Sequence, residues 1–96
     1  MVAPALSIVL ASTAPGPVPE IVSAALRASC AAVDVELILT GGLAPPVGRP
    51  LEFVRTQQVA TASGALVPDQ WGAGLRAATA PLVAFLTIET RIDPAW

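Results

Sequence analysis

Ninety-six residues, 54% of them hydrophobic and only 12% charged, make one domain or part of one, with more apolar material than a small isolated globule readily hides. A net charge of −2 and five scattered arginines, Arg27, Arg49, Arg55, Arg76 and Arg91, provide neither a basic stripe for nucleic acid nor a charged run for a lipid surface. With no histidine and one cysteine, Cys30, imidazole chemistry, a Cys–His pair and an internal disulfide are excluded.

The opening stretch MVAPALSIVLASTAPG has the apolar character of a secretory leader. No Arg or Lys precedes its apolar part, Pro4 interrupts it, and Pro15 follows the small-residue site at Ala14, so it reads as a buried first strand, Ala5–Ser12. No apolar run approaches the ~18 residues of a membrane helix, and a soluble cytoplasmic chain is expected. Pro15-Gly16-Pro17 closes the strand. Pro19-Glu20 then opens a helix running to about Ala32, with Val22, Leu26 and Cys30 on one face, supported by Ala25, and with Ser23 and Arg27 on the other. Cys30, among alanines, reads as a small buried hydrophobe.

Val35–Thr40 is a second strand ended by Gly41-Gly42, and Leu43–Pro50, with three prolines, is a loop. Leu51–Thr56 is a third, outer strand, and Gln57–Val67 an irregular loop. Pro68-Asp69 opens a second helix through Ala78, whose face is Trp71, Leu75 and Ala78. Gly72 and Gly74 each weaken it by up to about 1 kcal/mol relative to Ala, which suggests a close backbone approach. Leu82–Ile88 (LVAFLTI), the most continuous apolar run, reads as a central strand buried on both faces.

Strands alternating with helices predict an α/β fold, a mostly parallel sheet with right-handed crossovers and flanking helices, in a single unit over residues 1–96. Ligands of such sheets bind beyond the strands' carboxyl ends, where strand order reverses. Those ends carry Ser12 and Thr13, Gly41 and Gly42, Gln57, and then Thr87, Glu89 and Thr90. Ser12 and Thr13 either offer hydroxyls to a ligand or cap a turn. Gly41 and Gly42 either make a turn or admit close approach of a ligand. Trp71 either packs or stacks on a base. Glu89 and Asp93 are either an acid/base pair or solvated loop acids. Gly72-x-Gly74-x-x-Ala77 matches the dinucleotide fingerprint only as a string, because it does not follow a strand directly.

Val83-Ala84-Phe85-Leu86, followed by an acidic tip and Asp93-Pro94-Ala95-Trp96, resembles the segment of family 2 glycosyltransferases in which a buried strand runs into an Asp-x-Asp motif and then Pro-x-Trp. Ser7–Leu10, Val35–Leu39 and Ala73–Ala78 look like that family's first strand, second strand and the helix before its metal motif. The resemblance implies a Rossmann-like fold of the nucleotide-diphospho-sugar transferase type, limited to the donor-binding half. It implies a nucleotide-sugar ligand at Ser12, Thr13, Gly41, Gly42, Trp71 and Thr87, and a divalent metal, Mg²⁺ or Mn²⁺, at Glu89. The departures fall where the chemistry is most demanding. Thr87 and Glu89 stand where the family has two aspartates, which weakens a metal that would neutralise the leaving diphosphate. Gly41-Gly42 replaces the acids that grip base or ribose, and Gln70-Trp71-Gly72 replaces Ala-Arg-Asn. The acceptor half and its base would lie beyond Trp96, so no catalytic residue is assigned and no sugar transfer is expected of this chain alone. The rival expectation is a non-catalytic module that uses its apolar surface to bind a protein partner or a second copy of itself.

Overall fold

A computed structural model describes residues 3–29, 33–45, 55–62 and 64–88. In chain order these residues form β1 (Leu6–Ala11), β2 (Gly16–Pro17), α1 (Glu20–Ser29), β3 (Val35–Leu39), β4 (Leu43–Ala44), β5 (Arg55–Gln58), α2 (Val67–Ala77) and β6 (Leu82–Thr87). Four strands form one parallel sheet in the order β5-β3-β1-β6, and β2 pairs with β4. This is the expected α/β fold, compatible with a Rossmann-like unit. The chain steps from β1 outward to β3 and β5, then crosses back to place β6 on β1's other side. Right-handed crossovers in opposite directions put their helices on opposite faces.

The side chains bear this out. Because strand side chains alternate, Ile8 and Leu10 of β1 share a face with Val35, Leu37 and Leu39 of β3. That face packs on Val22 and Leu26 of α1, together with Val18 and Leu43. The other face carries Val9, on which Gly74 of α2 sits: a Cβ at that glycine would overlap the Val9 side chain. Gly74 is therefore the close approach that the helix glycines suggested.

Several expectations are corrected. The run Leu82–Thr87 is an edge strand of the described sheet, not its centre, and its Leu82 and Phe85 are 67% and 40% exposed. The interior positions go to β1 and β3, fully buried from Ser7 to Ala11 and from Val35 to Leu39, with both helices covering β1. The third strand is outer as expected. Gln57 and Gln58, assigned to a loop, lie within it, and Leu51–Val54 lie outside the described residues. Their amides explain the polar strand: Gln57 Nε2 donates to Ala77 O at 3.3 Å and Gln58 Nε2 to Leu43 O at 3.1 Å. On α2 the buried residues are Gln70 and Gly74, while Leu75 is 51% exposed. Ser23, expected on the outer side of α1, is buried, with its hydroxyl on Glu20 O at 3.1 Å. Cys30 lies outside the described residues.

A buried carboxylate ties the amino end of the sheet together. Arg55, Glu36, Ser7 and Val83 stand in one register row across the four strands. Glu36 is 0% exposed. Its Oε1 accepts from Ser7 Oγ at 2.8 Å and Thr79 N at 3.0 Å, and its Oε2 accepts from Thr79 Oγ1 at 3.1 Å. Ala80 N donates to Ser7 Oγ at 3.2 Å, and Arg55 Nη1 stands 3.7 Å from Oε2. A carboxylate is acceptor-only and holds about four such contacts, so Glu36 is satisfied where it sits. It binds the turn between α2 and β6 to the strands beneath.

Candidate functional site

Parallel pairing brings the carboxyl ends of β1 and β3 side by side, and the segments that follow them are shaped by local chemistry. After β1, Ser12 Oγ donates to Ala14 O at 2.6 Å and accepts from Ala14 N at 3.1 Å, a hydroxyl-closed turn. After β3, Leu43 N donates to Thr40 O at 3.2 Å. The turn between them carries φ of +66° at Gly41 and +77° at Gly42, the positive pair that mirror-image turns require. The chain then leaves both turns in parallel: Gly16 N donates to Gly42 O at 3.2 Å and Val18 N to Ala44 O at 2.9 Å. Those bonds make β2 and β4, a small shelf over the tips.

Gln70, projecting from the first turns of α2, closes the other side. Its Oε1 accepts from Ser12 N at 2.9 Å, and its Nε2 donates to Ser12 O at 2.7 Å and Ala65 O at 2.9 Å. Thr40 Oγ1 lies 3.0 Å from Leu10 O and 3.3 Å from Gln70 Oε1. The amide thus pairs with the Ser12 backbone as another strand residue would, continuing β1 by one position. A Cβ on Gly41 would overlap Gln70 Oε1 and come within 2.7 Å of Ser12 O, so the turn and the clamp fit only with glycine there. Gln70→Leu is expected to leave the Ser12 backbone unpaired and cost about 2 kcal/mol. Urea unfolding measures this, and an unchanged midpoint would mean the clamp does not hold the tip.

Between shelf and clamp lies a cavity of about 190 Å³ lined by Ser12, Thr13, Pro15, Gly41, Gly42 and Gln70 and by Thr61, Ala62, Gly64 and Ala65 of the loop before α2. Four of the predicted site residues, Ser12, Thr13, Gly41 and Gly42, therefore meet in one place. Every described residue lining it is uncharged. Thr13 is exposed and Thr61 half-buried, whereas the Ser12 hydroxyl is spent on Ala14. Gln70 and Thr61 were not anticipated. The one sequence signal for Gln70 is a polar residue a turn before Gly74 on the buried side of its helix.

The other predicted residues lie apart from this cavity. Trp71 donates from Nε1 to Leu86 O at 3.1 Å and tilts against Phe85 with ring centroids 5.6 Å apart; it packs α2 onto β6. Thr87 stands beside Ala11 at the β6 tip, at the same end of the sheet but outside the cavity lining. Glu89 and Asp93 lie outside the described residues, so Thr87, with one neutral oxygen, is the described member of the expected metal pair. Among the described residues no group of three or more His, Cys, Asp or Glu assembles. No described helix is long and apolar enough to cross a membrane.

No family model, curated protein or solved structure matches the chain.

Proposed function

We propose that this chain is a nucleotide-sugar-binding α/β module, glycosyltransferase-like, which takes part in glycosyl transfer only when an acceptor-binding half completes it. The observation that supports this reading is the meeting of Ser12, Thr13, Gly41 and Gly42 around one cavity at the carboxyl ends of β1 and β3. Beyond the strand tips is where open parallel sheets place their ligands. The cavity is smaller than the ~300 Å³ at which whole-ligand pockets begin. It exceeds the ~150 Å³ that admits benzene in an engineered core, so it takes one ring-sized, uncharged part of the ligand. Neutral hydroxyls and backbone groups suit a base or a sugar ring there. The phosphates would then lie outside it, towards Thr87 and, in this reading, a Mg²⁺ or Mn²⁺ ion held by Glu89.

Calorimetric titration with uridine or guanosine diphosphate in the presence of Mn²⁺ is expected to show millimolar or tighter binding. Thr13→Val should weaken it about fivefold, the worth of one hydrogen bond. Neither heat nor a shift in melting temperature at millimolar ligand would remove the proposal.

The second reading, a non-catalytic interaction module, is favoured by exposed apolar side chains. Leu66, Leu75 and Leu82 are 69%, 51% and 67% exposed.

A further inference from the structure

Two glycines interrupt α2, and contacts among the described residues explain only one. Gly74 has Val9 against it, but a Cβ on Gly72 would meet only Arg76 Nη1, at 3.8 Å. Gly72 therefore weakens its helix without a close approach among the described residues that requires it. At about 100° per residue it lies roughly 160–200° around the helix from the buried Gln70 and Gly74, at the middle of the outward face. Asp69 and Arg76, both exposed, flank it. Seven positions are nearly two turns, so these opposite charges stand on the same side of the helix about 10 Å apart. Their midpoint falls between Gly72 and Ala73. Leu75, 51% exposed, lies about 60° around the helix from Gly72, and an open groove between α2 and the loop before it reaches Asp69, Ala73 and Arg76.

We infer that the outward face of α2 is a self-association surface whose occupant is a second copy of this chain, docked with its α2 antiparallel. Opposite charges placed symmetrically about a midpoint complement themselves: a two-fold axis there sets Asp69 against the partner's Arg76 and Arg76 against the partner's Asp69. Glycine at the axis lets the two backbones approach closely, and Leu75 supplies apolar area. A partner of uniform charge would gain at one end and lose at the other. The exposed Leu82 and Phe85 of β6 carry no comparable pattern to indicate what covers them.

Sedimentation velocity of the full chain from micromolar to millimolar concentration tests this, with a monomer–dimer equilibrium expected. Asp69→Arg alone and Arg76→Asp alone set like charges together and should each raise the dissociation constant about tenfold or more. Mixing the two variants makes both contacts opposite in sign, so the mixture should dimerise as the parent does. This arm separates the surface from helix-end electrostatics, since a helix weakened by reversed end charges is not repaired by mixing. Gly72→Leu, whose Cβ would meet no described atom closer than 3.8 Å, should keep its circular dichroism and lose the dimer. A parent chain that stays monomeric at millimolar concentration overturns the inference. So does a dimer indifferent to all three substitutions, or a pair of charge variants that fails to recombine.

Discussion

Glu36→Ala is expected to cost about 3 kcal/mol of folding stability, from the lost charge-assisted bonds and the space left behind. A chain of this length has roughly 5–14 kcal/mol in all, so the melting temperature should fall by well over ten degrees. The reason is where the carboxylate's partners sit. Ser7 is buried in β1 and loses the acceptor of its hydroxyl. Thr79 loses the partner of both its amide and its hydroxyl, which frees the turn that leads into β6. Glu36→Gln keeps the shape and one acceptor oxygen and should cost about half as much. Arg55→Ala should cost less than about 1 kcal/mol, because that cation is 55% exposed and stands 3.7 Å away. Replacing Glu36 by Leu together with Ser7 by Ala should be milder than Glu36→Ala, since no buried hydroxyl is then stranded. Guanidinium unfolding of the four variants reports the ranking. Equal losses for Glu36→Ala and Arg55→Ala would show that the ion pair, not the hydrogen-bonded row, carries the effect.

Gly74→Leu is expected to destabilise by about 3 kcal/mol or more, because its side chain must enter space that Val9 already fills. Gly74→Ala should lose about 1 kcal/mol net, the clash exceeding the gain in helix propensity. Val9→Ala in the same chain should recover part of either loss, a coupling expected only of groups in contact. Two residues earlier the sign reverses: Gly72→Ala, measured at monomeric concentration, should stabilise by about 0.5–1 kcal/mol. Thermal unfolding of both alanine variants decides the point, and the same sign for both would contradict the packing of α2 on β1.

Local elements were legible because local chemistry makes them. Ala5–Ser12 and Val35–Thr40 are short β-branched runs closed by Pro or Gly, and Pro19-Glu20 and Pro68-Asp69 are helix starts. Strand order was not legible. Periodicity reports how apolar a segment is, not which strands flank it, so LVAFLTI read as central although it lies at the described edge. Of the two interior strands β1 carries a serine, and Ser7 is tolerated there because Glu36 faces it. That glutamate inside VELIL was a visible anomaly whose meaning depended on a residue 29 positions away. The strands Gly16–Pro17 and Leu43–Ala44 were invisible for the same reason, since neither forms without the other. At the cavity, parallel strands necessarily bring Ser12 and Gly41 to one end. The turn that consumes the Ser12 hydroxyl, and the reach of Gln70 across 58 positions, required the folded chain.

The placement of β1 between β3 and β6 sets an order of events during synthesis. β1 acquires its second neighbour only when Leu82–Thr87 has been made. At roughly 5–20 residues per second the growing polypeptide therefore carries one bare apolar ladder edge for several seconds. Through that interval α1 and β3 can shelter only one flank and one face of the strand. The unsheltered remainder is transiently exposed apolar surface of the kind that aggregates, and slowing elongation between Gln58 and Leu82 would prolong its exposure.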